Sequence, residues 1–216
     1  MTFTLVLPAC LARWPVLSPL LSMKSQTVLY RQGECIQWVW IVRRGFVKIQ
    51  RLSLSGKQVT LSLLGSTAIL GDIELDQNGS YESATIQSSA DVYRMDRNSF
   101  DHLLTNEPEF SRFVAQSLFL RKAALQRRLF SVMHRRVETR VAGLLCDLAR
   151  NEGERCRHGA EVDVRLSQQD LADMIGASRQ VVSSELNRLR AADLVHYSRN
   201  LICVTNLVGL NELAET

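Results

Sequence analysis

The sequence predicts an α+β protein with a strand-rich N-terminal part and a mainly helical C-terminal part, and three patterns support this fold class. Between about residues 25 and 100, short runs of β-branched and aromatic residues are separated by glycines. The stretch 107–136 then contains no glycine, and its only proline lies near its start, where a helix tolerates one. Residues 166–195 finally carry the signals of two short helices joined by a sharp turn.

Composition limits the class of protein before any element is placed. The chain has 216 residues, 46% of them hydrophobic, which suffices for one large domain or two small ones. A net charge of +4 permits a nucleic-acid partner without requiring one. The five cysteines are scattered and form no C-x-x-C pair, so we expect neither disulfides nor a metal site, and no cofactor. The sequence contains no visible nucleophile–base pair and no phosphate-binding glycine loop, so its motifs do not indicate an enzyme.

The apolar N-terminus, residues 1–23, superficially resembles a secretory signal. It has no Lys or Arg before its apolar run, and Pro8, Pro15 and Pro19 interrupt it. Its uncharged runs are also too short to span a bilayer. We interpret it as an arm packed on the first domain of a cytoplasmic protein with no membrane partner.

The strand-rich region has several short strands separated by turns, a pattern that favours a β-sandwich or barrel. Ser55-Gly56 is a candidate hairpin turn within it. The glycines that separate the runs are Gly33, Gly45, Gly56, Gly65 and Gly71.

An acidic segment, GDIELDQNGSYESA at 71–84, needs a separate explanation. A calcium loop of the EF-hand type requires glycine at its sixth position and glutamate at its twelfth. Counted from Asp72, those positions hold Gln77 and Ser83, which excludes that site. Alternating acidic and apolar residues favour a half-buried strand instead, and Asn78-Gly79 favours a tight turn after it.

The glycine-free stretch predicts one long helix with more apolar surface than a single stripe. A helix that faces one core needs one apolar stripe. The additional apolar surface favours self-association through the helix, although burial of the helix between two domains of one chain would also explain it. A second helix is predicted from Val137, and the polar loop 151–163 after it has room for a hairpin. The apolar-side positions of the long helix are Phe110, Phe113, Val114, Ser117, Leu118, Leu120, Ala124, Leu125 and Leu129.

Residues 166–195 have the pattern of a helix-turn-helix. Ser167 with Asp170 three positions later indicates a helix N-terminus, Gly176 suits the sharp turn, and Ser178 suits the next N-cap. The second helix exposes side chains that donate to and accept from base edges and phosphates. Two predicted strands, joined at 198–200, follow as a wing. The pattern therefore favours DNA binding over an ordinary helical hairpin with a polar face.

With these motifs the chain resembles the Crp–Fnr transcription regulators over about residues 25–205. The most specific stretch is LSQQDLADMIGASRQVV, preceded by the helix RVAGLLCDLA, and GAEVDVRLSQQDLADMIGASR is similar to the cyanobacterial nitrogen-control branch. The resemblance implies a double-stranded β-roll like that of cyclic-nucleotide-binding domains, a long dimerisation helix and a winged helix-turn-helix, at 1–108, 109–135 and 136–216. It also implies a homodimer that binds a palindromic double-stranded operator and contacts RNA polymerase.

The resemblance places the DNA-binding residues on the helix-turn-helix. Arg179 matches an arginine that family members direct at a base or a phosphate. Gln180 replaces a common base-reading glutamate and Ser184 a common base-reading arginine, so the operator should differ from the usual half-site. The implied set is Ser167, Gln169, Ser178, Arg179, Gln180, Ser183, Ser184, Asn187 and Arg188.

The resemblance also implies that the acidic segment forms part of an effector pocket. In members that bind cyclic AMP an arginine grips the phosphate, but this chain has Glu82 there, and Asp72 is one methylene shorter than the ribose-binding glutamate. We therefore expect that cyclic AMP does not bind and that the effector is unknown or absent. The implied pocket residues are Gly71, Asp72, Ile73, Glu74, Glu82, Ser83 and Ala84.

Other effectors of the family set further expectations. An iron–sulfur cluster needs several N-terminal cysteines, and only Cys10 and Cys35 lie in that half. A 2-oxoglutarate ligand needs a cation in the pocket, and we expect the candidates on the long helix to face solvent or DNA instead. These candidates are Arg121, Lys122, Arg127 and Arg128.

A second function class remains open. The β-roll could sense a ligand for a C-terminal domain that binds a protein partner rather than DNA. Such a domain should expose an apolar or acidic recognition helix, whereas this helix is polar and carries Arg179 and Arg188.

Overall fold

A computed structural model describes residues 7, 11, 19–71, 79–152, 154–156, 159–162, 166–198 and 201–215. The chain divides into two compact units, residues 1–124 and 125–216. Within the described residues, no helix has the length and apolar character needed to cross a membrane.

The first unit contains two antiparallel four-stranded sheets. Their orders are β1-β8-β3-β6 and β2-β7-β4-β5. The strands are β1 (Leu20–Met23), β2 (Val28–Tyr30), β3 (Trp38–Arg44), β4 (Val47–Leu52), β5 (Gln58–Leu64), β6 (Ile69–Leu70), β7 (Ser83–Ile86) and β8 (Ala90–Asp96).

Strand β3 is buried on both faces, which explains its uninterrupted apolar run. Successive side chains of a strand point to opposite faces. Trp40 and Val42 belong to the core that both sheets share, whereas Val39 and Ile41 belong to a second core together with helical residues. The two cores therefore meet at this strand, and a sheet with helices on its other face results.

Two helices of the first unit supply that second core. Helix α1 (Arg97–Asn106) begins at Asp96, whose carboxylate accepts a hydrogen bond from the backbone N–H of Ser99 at 2.8 Å. Helix α2 (Pro108–His134) starts with the proline that a first helical turn tolerates. Phe100 of α1 and Phe110 of α2 pack edge to face, with ring centroids 5.5 Å apart. Leu7 and Leu11 of the N-terminal arm pack with this core, as predicted.

The second unit begins within α2 and is mainly helical. Its own sheet has the order β11-β12-β10-β9. Its elements are α3 (Val137–Glu152), β9 (Glu154–Cys156), β10 (Gly159–Val162), α4 (Gln168–Ile175), α5 (Arg179–Ala191), β11 (Val195–Ser198), β12 (Leu201–Val204) and α6 (Leu207–Glu215).

Most element predictions are confirmed. The long helix spans 108–134, a hairpin of β9 and β10 occupies the loop after α3, and β11 pairs with β12 as the predicted wing. The Ser55-Gly56 turn joins β4 to β5. The predicted strand that starts at Asp72 and the first turn residue, Asn78, lie outside the described residues. The second turn residue, Gly79, has φ 79°, the positive value that such a turn requires.

Candidate DNA interface and effector pocket

The helix-turn-helix is built by caps that the sequence encodes locally. The Ser167 hydroxyl accepts from the Asp170 N–H at 3.1 Å, and the Asp170 carboxylate accepts from the Ser167 N–H at 2.9 Å, which closes a capping box at the start of α4. Gly176 ends α4 at φ 65°, a left-handed conformation that favours glycine. The Ser178 hydroxyl then accepts from Val181 N–H and starts α5.

The apolar faces of these helices form the interior of the second unit. Because the buried positions on each helix recur at three- and four-residue intervals, one face of each is hidden and the other is exposed. The buried side chains of the two helices include Leu171, Ala172, Ile175, Val182, Leu186 and Leu189.

An open groove of about 620 Å³ runs along the exposed side of this helix pair. The side chains of Arg179 and Gln180 are exposed there and make no hydrogen bond or ion pair with another residue that the structure describes. The groove therefore presents donors and acceptors at the N-terminal end of α5, where unsatisfied backbone N–H groups also favour an anion. Its lining residues are Gln168, Ser178, Arg179, Gln180 and Ser183.

Gln168 is a groove residue that sequence reasoning missed. It is the first residue of α4, directly after the Ser167 cap. The adjacent pair Gln168-Gln169 was the available signal, because consecutive helical residues point about 100° apart and therefore meet different surroundings. The prediction selected Gln169, whose side-chain amide instead donates to the Asp173 carboxylate at 2.7 Å.

Other predicted DNA-binding residues lie away from the groove lining. Arg188 is held by two carboxylates, Glu138 of α3 at 3.1 Å and Glu185 of α5 at 2.9 Å. The Asn187 side chain accepts from Arg190 at 3.1 Å, and Ser184 is exposed. The structure thus brings together four of the nine predicted residues, Ser178, Arg179, Gln180 and Ser183.

The described part of the predicted effector pocket is closely packed. Gly71 adopts φ 91°, and a Cβ there would lie 2.4 Å from the Trp38 carbonyl oxygen, so only glycine fits. Ala84 of β7 is fully buried, and the Ser83 hydroxyl accepts from the Gln32 backbone N–H at 2.9 Å. Asp72, Ile73 and Glu74 lie outside the described residues.

Glu82 is paired with a cation of the long helix. The Arg121 Nη2 donates to both Glu82 carboxylate oxygens, at 2.8 and 3.0 Å. The Glu82 side chain is only 12% exposed and that of Arg121 29%. The Tyr30 hydroxyl also lies 3.5 Å from Glu82 and from the Gly71 N–H. An internal carboxylate thus meets a guanidinium in the predicted pocket.

The expectation that the long-helix cations face solvent or DNA is wrong for two of the four. Arg121 turns inward because Glu82 gives it a partly buried counter-charge. Arg128 turns toward the helix-turn-helix, where it donates to the Asp173 carbonyl at 2.9 Å. Lys122 and Arg127 are exposed, as expected. The positions of Arg121 and Arg128 depend on tertiary partners that lie distant in the sequence.

The C-terminal part of α2 exposes a large apolar surface. Leu118 and Leu125 are about half exposed, and Leu129 and Met133 more than half. Residues seven or eight positions apart complete about two helical turns, so these four leucine and methionine positions recur along one side of the helix. The exposed apolar residues of the segment are Leu118, Phe119, Leu125, Leu129, Phe130, Val132 and Met133.

Comparison with known proteins identifies both halves of the chain. Residues 20–107 match the model of the cyclic nucleotide-binding domain, and residues 139–213 match that of the Crp-like helix-turn-helix domain. The global nitrogen regulator of Synechocystis sp. is 24% identical over 192 residues, which cover 88% of this chain and 85% of that protein.

Two further proteins are similar to this chain over most of its length. The CRP-like cAMP-activated global transcriptional regulator of Mycobacterium tuberculosis is 28% identical over 181 residues, covering 83% of this chain and 78% of that protein. The solved structure of a CRP-family transcriptional regulator from Thermus thermophilus superposes with a TM-score of 0.77 at 21% identity, covering 90% of this chain and 96% of that one.

Proposed function

We propose that this chain, a member of the Crp–Fnr family of DNA-binding transcription regulators and not an enzyme, is a cytoplasmic homodimer that binds a palindromic operator. The observation that carries the proposal is the groove at the N-terminal end of α5, where Arg179 and Gln180 are exposed. We propose that the chain is divided into a sensor domain (1–108), a dimerisation helix (109–135) and a DNA-binding domain (136–216). We also propose RNA polymerase as a partner.

Base recognition is assigned to the exposed end of α5. Arginine can bind guanine bidentately or pair with a phosphate, and glutamine can bind adenine bidentately. We therefore propose that Arg179 and Gln180 read or position adjacent bases, with Gln168, Ser178 and Ser183 at the backbone. The ion pairs and hydrogen bonds of Arg188, Asn187 and Gln169 support a role for these three in holding the domain together.

Dimerisation is assigned to the exposed apolar side of α2. Apolar surface of this extent on one helix side is costly in water and is typical of an interaction surface. A second copy of the same helix is the partner that best fits, because it presents the same surface about a twofold axis and the operator needs two recognition helices.

Cyclic AMP is not the effector in this proposal. The cation of Arg121 is already neutralised by Glu82, and a cyclic phosphate would have to displace that carboxylate or lie beside it. A like charge at such a contact costs several kcal/mol, and each ~1.4 kcal/mol is about tenfold in affinity. The name of the mycobacterial relative describes activation by cAMP for that protein, and the Glu82–Arg121 pair is the reason not to transfer it.

The competing function is a sensor whose C-terminal domain binds a protein. The polar, arginine-bearing exposed end of α5 favours DNA. Selection of bound fragments from the parent genome tests this directly. We expect recovery of a common palindromic sequence, and recovery of none would refute the DNA-binding assignment.

The effector assignment has a separate test. Titration calorimetry with cyclic AMP and cyclic GMP, combined with DNA binding in the presence and absence of each, should show no effect. Micromolar binding of either nucleotide that also tightened DNA binding would overturn the pocket argument. In Glu82→Arg two guanidinium groups would face the pocket, and this variant should gain nucleotide affinity.

A further inference from the structure

Two arginines from different helices converge on the turn of the helix-turn-helix. Arg128 of α2 donates through Nη2 to the Asp173 carbonyl at 2.9 Å, and Arg140 of α3 donates through Nη1 to the Ile175 carbonyl at 2.6 Å. Both acceptors lie in the last turn of α4. These contacts span 45 and 35 residues of sequence, so they tie three separate helices of the second unit together.

The physical reason for this convergence is the C-terminus of α4. The last four carbonyls of a helix have no partner within the helix, and the helix dipole places negative charge there. The N–H groups of Gly176 and Ala177 reach the carbonyls of Ala172 and Asp173. Arg140 therefore supplies a donor to the Ile175 carbonyl, and Arg128 adds a second donor to that of Asp173. A guanidinium supplies both the missing donors and a positive charge, and five N–H groups in a fixed plane restrict its geometry.

The burial of Arg128 strengthens this contact. Its pKa is lowered by desolvation, an effect that the nearby Asp173 carboxylate opposes. A cation that has lost part of its water binds a carbonyl more strongly than an exposed one. The turn at Gly176 also lies close to α2 and α3. A Cβ at Gly176 would be 3.6 Å from the Val132 methyl groups of α2 and 3.6 Å from the Arg140 side chain of α3.

We propose that Arg128 and Arg140 are positioning residues for operator binding, which fix α5 at one angle to the C-terminal end of α2. This inference rests on the proposed function, in which α2 forms the dimer and α5 enters the groove. Because α2 relates the two copies, the angle between α2 and α5 would determine the distance between the two recognition helices. The arginine pair would therefore set which half-site spacing the dimer accepts.

Operator spacing provides a readout that a role in folding alone would not change. Adding one base pair between half-sites moves them by about 3.4 Å and rotates them by about 34°. Fluorescence anisotropy would compare a selected operator, versions with one base pair added or removed, and a single half-site. The variants are Arg128→Gln and Arg140→Gln, with Arg128→Lys as the conservative replacement.

Arg112→Gln is the matched control, because Arg112 is an exposed residue of the same helix and its loss changes the net charge equally. We expect each positioning variant to bind the native spacing about tenfold more weakly, the scale of a lost charge-assisted hydrogen bond. Its half-site affinity should stay near that of the parent, and its preference for native spacing should shrink. Arg128→Lys should recover part of that preference, and the control should match the parent.

Three outcomes would contradict the inference. If half-site and operator affinities fell by the same factor with spacing preference unchanged, the arginines would only stabilise the helix-turn-helix. If both variants discriminated between spacings as steeply as the parent, the arginines would not set the angle. A parent that bound no selected DNA or remained monomeric would instead refute the proposed function, and this inference with it.

Discussion

The ion pair between Glu82 and Arg121 should stabilise the first unit measurably. The perturbation is a double-mutant cycle of Glu82→Gln, Arg121→Gln and the double variant. Glutamine keeps most of the shape of the glutamate and removes only its charge. Either single change leaves a partly buried charge without its counter-charge, whereas the double change removes both.

The expected magnitude follows from distance and burial. At about 4 Å, two unit charges attract by about 4 kcal/mol at an effective dielectric constant of about 20. Desolvation opposes this attraction: exposed pairs contribute about 0.2–1 kcal/mol, whereas breaking a buried pair costs about 3–5 kcal/mol. The closest N–O distance is 2.8 Å, with side chains 12% and 29% exposed. We therefore expect a coupling energy of about 1.5–3 kcal/mol.

Tryptophan fluorescence during urea unfolding is the assay that isolates this unit. All three tryptophans, at positions 14, 38 and 40, belong to residues 1–124, which also contain both partners of the pair. With a urea m-value of about 2 kcal/mol/M, a loss of about 2 kcal/mol shifts the midpoint by about 1 M.

The control cycle is the Arg31–Glu34 pair of the same unit. Its charged atoms are 3.9 Å apart and its side chains 67% and 53% exposed, so its coupling should stay below about 1 kcal/mol. A Glu82–Arg121 coupling no larger than that of this control would refute the reasoning that partial burial strengthens the pair.

Three further outcomes are expected. Leu129→Asp places a charge on the exposed apolar side of α2, and sedimentation at micromolar concentration should then give a monomer where the parent gives a dimer; a monomeric parent would contradict the assignment. Arg179→Ala should weaken binding to the selected operator by about 1–3 kcal/mol, and Gln180→Ala should mainly relax base preference at one position, whereas parental binding by both variants would exclude this helix end. Burial raises the pKa of the Cys146 thiol, so near pH 8 it should react with a thiol reagent more slowly than exposed Cys35; equal rates by mass spectrometry would contradict the burial.

The helix-turn-helix could be predicted from sequence because its signals are local. The caps at Ser167 and Ser178 act within three residues, and Gly176 is needed for the backbone conformation of the turn itself. The stretch without glycine likewise predicted the long helix. Such short-range interactions are encoded in adjacent residues, so the residue types suffice to find them.

The orientation of charged side chains could not be predicted in the same way. The resemblance to the Crp–Fnr regulators implied that Glu82 stands in place of a phosphate-binding arginine, but only the tertiary structure brought Arg121 to it from 39 residues away. The same holds for Arg128, which binds a carbonyl at the end of α4 instead of facing solvent. A long charged side chain takes the direction in which it finds a counter-charge or an unsatisfied carbonyl, and those partners are brought near only when distant segments pack together.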